Sequence, residues 1–155
     1  MSLQDKSQEE LKEMFDVFLS KMDDQLDEFI KKAKKQGYKL DFSSASLNDL
    51  EKYLLENNTS VNENDFNDSA AYFGEVVRKN YGGKWQCSLN LTKNSIDYGY
   101  PVIVGHTKYN LELNPFHAVR SYILRKRPDH FQTVIGNDIN PDTLDLSHLP
   151  SEKDS

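Results

Sequence analysis

The densest run of side chains able to hold a polar ligand is Tyr72-Phe73-Gly74-Glu75-Val76-Val77-Arg78-Lys79-Asn80-Tyr81-Gly82-Gly83-Lys84-Trp85. Glu75 and Arg78 stand three residues apart, so on a helix their carboxylate and guanidinium meet on one side. With Trp85 and the distant His117 they would make a polar recognition pocket beside the glycine turn, suited to a small enzyme or a ligand-binding domain. A plainer reading competes and is preferred. Glu75 lies roughly opposite the stripe Phe66, Ala70, Phe73 and Val77, where it would pair on the surface with Arg78 or Lys79, worth a few tenths of a kcal/mol. Gly74 inside a helix costs ~1 kcal/mol relative to Ala, so a backbone or a bulky ring is expected to pack against it.

The remaining reactive groups are dispersed. His106, His117, His130 and His148 show no i,i+3 or i,i+4 pairing on one helix, and neither an HExxH motif nor a Cys/His spacing is present, so no metal or other cofactor is expected. Cys87 is the sole cysteine, which excludes an internal disulfide; on an apolar strand face it reads as a buried, inert thiol. Arg120, Arg125, Lys126 and Arg127 form a compact basic cluster, explained by the preference of cations for a helix C-terminus. Aromatic rings are not interleaved with it as single-strand nucleic-acid binders require. Tyr98 and Tyr100 could present rings from a sheet, and core or edge packing explains them equally well.

The Gly-Glu helix with its basic residue, the Gly-Gly turn, the Trp-bearing strand and a later Asn-Pro-Phe helix start resemble a family of uncharacterised small bacterial α+β proteins of immunity-protein-like type. The matching residues are Gly74, Glu75, Arg78, Gly82, Gly83, Trp85, Asn114, Pro115 and Phe116, so the likeness covers roughly residues 64 to 125. It implies a bacterial cytoplasmic setting and a place among toxin-neutralising or other accessory binding proteins. No catalytic role transfers with it.

Composition sets outer bounds. A chain of 155 residues with eight Phe, eight Tyr and one Trp can build one core without metal or disulfide staples. Nineteen basic against 25 acidic side chains give a net charge of -6, which makes nucleic acid a poor partner and a basic protein a better one. No basic-plus-apolar leader opens the sequence, and apolar runs such as Val102-Ile103-Val104 fall far short of the ~20 residues that span a bilayer. The expectation is a cytoplasmic protein without membrane contact.

The elements that must position these groups follow from periodicity. Leu11, Met14, Phe15, Phe18, Leu19, Met22, Leu26, Phe29, Ile30 and Ala33 recur at three- and four-residue steps, predicting a long helix from Gln8 to Gln36. Ser7 and Glu10 form its capping box and Gly37 its stop. Its broad apolar stripe also suits a homodimer. A second helix is expected from Leu47 to Glu56 with Ser46 as cap, then an exposed loop over Asn57 to Asn67. A third carries Phe66 to Tyr81 and ends at Gly82-Gly83.

After the glycines the period falls to two. Trp85, Cys87, Leu89 and Leu91 alternate with polar residues, as do Ile96, Tyr98 and Tyr100, and Val102 to Val104 with Tyr109 to Leu113 reads as a further hairpin. Asn114-Pro115 starts a helix that Pro128 closes, and His130 to Ile135 adds a short element. The expected fold is α+β: three N-terminal helices, an antiparallel meander of three to four strands, and a returning helix on the same sheet face. Residues 1–137 are expected to form one domain and 138–155 a polar tail, docked or disordered. The functional expectation is a non-catalytic binding protein of immunity type whose sheet face and acids, Glu63 to Asp68 with Asp138, Asp142 and Asp145, meet a basic partner.

Overall fold

Serine at position 7 does at the first helix what its position predicts. Its hydroxyl accepts the Glu10 N–H while the Glu10 carboxylate accepts the Ser7 N–H, closing a capping box at the start of α1, Gln8–Lys35. The computed structural model describes residues 6–89 and 97–140. There α1 is followed by α2 (Ser46–Glu56), α3 (Asn64–Tyr81), β1 (Lys84–Cys87), β2 (Pro101–Val104), α4 (Pro115–Arg125) and α5 (His130–Ile139). The architecture is α+β, with five helices and a small two-stranded antiparallel sheet among the described residues.

The sheet is smaller than the alternation of the sequence predicts. β1 pairs with β2 in the register Trp85↔Ile103 and Gln86↔Val102, and among the described residues only the single bridge Ile103↔Leu113 is made beyond β2. Tyr98 sits in a turn rather than a strand, and Leu91 and Ile96 lie outside the described residues. Two-residue alternation reports that one side of a segment is buried, and a buried loop satisfies it without ladder bonds. Tyr109 to Leu113 alternates in this way but buries only Leu113, which joins the sheet through its bridge to Ile103, while Leu111 N–H bonds locally to Tyr109 C=O at 2.9 Å.

The helices therefore do not simply lie across a pleated surface. α3 is the central element, packed by α1, α4 and β2, and every residue from Ser69 to Val77 is buried. A helix buried on all sides has no wet face opposite its apolar stripe. Aromatic pairs tie the layers together: Phe29 edge-on to Tyr53 at 5.2 Å between α1 and α2, and Phe73 against Phe131 at 4.7 Å between α3 and α5.

Helix ends show where local chemistry suffices and where it does not. Asn114 Oδ1 accepts the N–H groups of Phe116 and His117 at 3.0 and 3.2 Å with Pro115 at the first position of α4, as the sequence predicts. Ser46, by contrast, is not the cap of α2. Ala45 occupies that place, and the Ser46 hydroxyl reaches back to the Ser43 carbonyl and to the Tyr72 hydroxyl. α5 runs to Ile139, past the expected end at Ile135. Its N-terminus is capped from a distance, because Glu51 of α2 accepts the N–H groups of Asp129 and Phe131 at 3.1 Å each.

Candidate functional site

Glu75 is an interior residue, 4% exposed, which corrects its expected place on the surface. Its two oxygens are filled: Arg78 Nε donates to Oε2 at 2.9 Å, the second Arg78 nitrogen donates to Oε1 at 3.0 Å, and Trp85 Nε1 donates to Oε2 at 2.7 Å. Burial alone would raise the Glu75 carboxyl, but these bonds and the Arg78 charge hold it below the ordinary carboxylate value. The group is an ionised anchor that accepts three hydrogen bonds.

Gly74 explains how the indole reaches that carboxylate. A Cβ on Gly74 would collide with Cζ2 and Cη2 of Trp85 and stand 3.2 Å from Pro115 Cγ, so the bulky ring expected over this glycine is that of Trp85. Phe18 of α1 meets the other side of the indole edge-on at 5.1 Å. Gly82 and Gly83, at φ +89° and +98°, turn the chain from α3 into β1, and a side chain on Gly83 would strike Val104 O and His106 N.

His117 belongs to a different cluster. Its Nδ1 lies 3.1 Å from Asp97 Oδ1, which also accepts Asn114 Nδ2 at 3.0 Å, and Tyr100 stands edge-on to its ring at 4.9 Å. Burial and the Arg120 charge push this imidazole below its ordinary 6.5 against the pull of Asp97. Among the described residues no hydrogen bond, ion pair or ring contact joins His117 to Glu75, Arg78 or Trp85. Tyr98 is buried against Leu11 and Cys87, and Tyr100 packs on Phe116 at 5.7 Å; neither ring is presented from a sheet face. Burial raises the Cys87 thiol, and its sulfur faces the Leu11 and Gly99 carbonyls at 3.9 Å.

Of the acids expected to face a partner, Asp65 and Asp138 are engaged within the fold, whereas Glu63 is exposed. Asp65 binds Lys32 of α1 and accepts the Tyr53 hydroxyl at 2.7 Å. Asp68 borders an open groove of about 680 Å³ between α1 and α3 that also includes Glu28, Lys31, Lys32 and Lys35. Burial, then Asp65 and Glu28 against Lys32, push the Asp68 carboxyl up to about 6. Asp138 stands 2.8 Å from Nε2 of the buried His106, tying α5 to the segment after β2. Asp142 and Asp145 lie outside the described residues.

The acidic surface lies instead on α1. Between Gln8 and Glu28 there are eight carboxylates and two lysines, a local charge of -6 that equals that of the whole chain. Met14 and Val17, 47% and 50% exposed, project from this stretch beside Phe18 and Phe116 in an open groove of about 610 Å³. Periodicity had marked Met14 as part of the buried stripe, and its exposure depends on how far α3 and α4 reach along α1. Arg120, Arg125, Lys126 and Arg127 are all exposed. Among the described residues no three His, Cys, Asp or Glu side chains gather as metal ligands, and no helix is long and apolar enough to cross a membrane. No family model, no curated protein and no solved structure matches the chain.

Proposed function

We propose that this chain is a non-catalytic binding protein whose first helix receives a basic, apolar-faced segment of a partner protein. The carrying observation is the concentration of the chain's net charge on Gln8 to Glu28 around the half-exposed Met14 and Val17. Apolar surface there supplies affinity, and the surrounding carboxylates steer a cationic partner and disfavour acidic ones. Glu10 and Glu13 line the apolar groove together with Lys6 and Lys21, so the acidic excess that selects a cationic partner lies on the rest of the Gln8 to Glu28 stretch. The likeness of the Tyr72 to Trp85 run to immunity-protein-like bacterial proteins supports the same reading, as a cytoplasmic neutraliser of a basic partner. Glu75, Arg78 and Trp85 serve this function by fixing α3 to β1 and seating the indole against Phe18 of α1.

The test is calorimetric titration with a lysine-rich amphipathic helical peptide and with a scrambled peptide of equal composition, at about 0.15 M salt. The ordered peptide is expected to bind more tightly, and Glu13→Lys with Asp24→Lys, which leave the capping box intact, to weaken it about tenfold. Equal binding of both peptides, or indifference to the double charge reversal, sinks the reading. Concentration-dependent dimerisation through α1, read by sedimentation equilibrium, would assign the same face to a second copy instead.

A further inference from the structure

The antiparallel register fixes where each backbone group of β1 points. Ile103 exchanges both of its backbone bonds with Leu113, N–H to O at 2.8 Å and O from N–H at 3.0 Å, so its polar groups face away from β1. Trp85, directly opposite Ile103, is therefore a pair without ladder bonds, and the N–H and C=O groups of Trp85 and Cys87 point to the outer edge of the sheet. Ser88, by the same alternation, faces inward, donating to Tyr100 O at 2.9 Å and accepting from Gly99 N. Among the described residues no hydrogen bond reaches the outward groups of Trp85 or Cys87.

That edge opens onto a groove of about 590 Å³ between β1 and α1. On the side of the sheet where α1 packs, Phe15 and Leu89 line it; on the other side lie the polar chains of Lys84, Gln86 and Glu112. Lys12 and Lys84 are balanced by Asp16 and Glu112, so the groove favours neither a polyanion nor a polycation. A neutral row of donors and acceptors repeating every second residue, about 6.8 Å apart, matches an extended peptide backbone.

We infer that the outer edge of β1 is a docking strand for an extended segment of a partner protein, which adds to the sheet as a third strand with apolar side chains toward Phe15 and Leu89 and polar ones toward Gln86 and Glu112. Main-chain bonds supply the affinity and the two unlike sides of the groove supply the selectivity. β1 is only four residues long and bears the exposed Lys84, which limits the edge to one short added strand and keeps it from seeding open-ended aggregation. This surface is separate from the apolar groove on α1, so its test stands or fails independently of the binding reading given there.

The experiment is residue-resolved amide exchange by NMR, with an acetylated and amidated hexapeptide of alternating Val and Thr as probe. A second hexapeptide is N-methylated at every residue and so cannot donate to the edge from either of its sides. In the free protein the Trp85 and Cys87 amides exchange at least ~10-fold faster than those of Gln86 and Ser88, and saturating unmethylated peptide slows them about tenfold. Fast exchange that no peptide changes, protection of Trp85 and Cys87 already present in dilute free protein, or equal protection by the methylated peptide would each overturn the inference. Protection that rises with protein concentration alone would assign the edge to a second copy and likewise overturn it. Leu89→Pro, which removes a donor from the outer side, is expected to reduce peptide binding while β1 and β2 remain paired in the exchange pattern.

Discussion

The Trp85 indole N–H donates to Glu75 Oε2 at 2.7 Å across the two-glycine turn that joins α3 to β1. Since the same carboxylate holds Arg78 by two further bonds, a single ionised side chain sets the helix-to-strand angle and the pose of the indole. Glu75→Ala would strand the indole N–H and leave Arg78 without its partner. Arg78 is 39% exposed, so water recovers part of its loss, and the expected cost is about 2 kcal/mol in urea unfolding at pH 7.

The pH dependence of this anchor has a definite sign. The folded Glu75 carboxyl lies below its unfolded value of 4.5, so its stabilisation is complete above pH 4.5 and is lost as pH falls through the folded value. The stability gap between the wild type and Glu75→Gln should therefore be widest near neutrality and narrow progressively below pH 4.5. A constant gap from pH 7 to pH 3 would show that charge is not what Glu75 contributes.

Helix propensity and packing oppose each other at Gly74. Alanine would favour the helix by ~1 kcal/mol, yet its methyl would occupy the place of the Trp85 ring, and overpacking of this kind costs about 1–3 kcal/mol. Gly74→Ala is expected to lower the melting temperature and to shift the emission of the only tryptophan in the chain. Greater stability with unchanged emission would mean that the ring yields freely.

Asp68 has the opposite linkage. Its folded carboxyl is raised from 3.8 to about 6, so the ionised form works against the folded state at pH 7 and the penalty fades as pH falls below 6. Asp68→Asn should raise stability at pH 7 by on the order of 1 kcal/mol, after discounting for partial exposure, and by nothing near pH 3.5. Urea titrations of both proteins at these two pH values check the difference.

Asp138 is expected to matter although it stands at the start of a polar tail in sequence. Its removal leaves the buried His106 ring without the partner of Nε2, while Nδ1 already has none among the described residues. Asp138→Ala should cost about 1–3 kcal/mol and loosen α5, seen as faster exchange of the Ile135 and Ile139 amides. Unchanged exchange there would separate α5 from the His106 contact.

Local chemistry was legible in the sequence because it acts over a few residues. The capping box of Ser7 and Glu10, the Asn114-Pro115 start, the glycine turn at 82–83 and the apolar stripes of α1 to α4 all follow from groups within one or two turns of each other. Tertiary structure decided what spacing does not encode. A stripe records that a helix has a neighbour, and the number of its neighbours depends on distant segments; α3 gained enough of them to bury Glu75, and Trp85 supplied the bond that makes this burial tolerable. Strand count was likewise undecided, because alternation is local whereas a ladder needs a partner far along the chain, and among the described residues only Leu113 meets Ile103 in a bridge beyond β2. The exposed Met14 and Val17 on acidic α1 and the open edge of β1 exist because packing stopped short of them, a boundary set by the shape of the whole molecule.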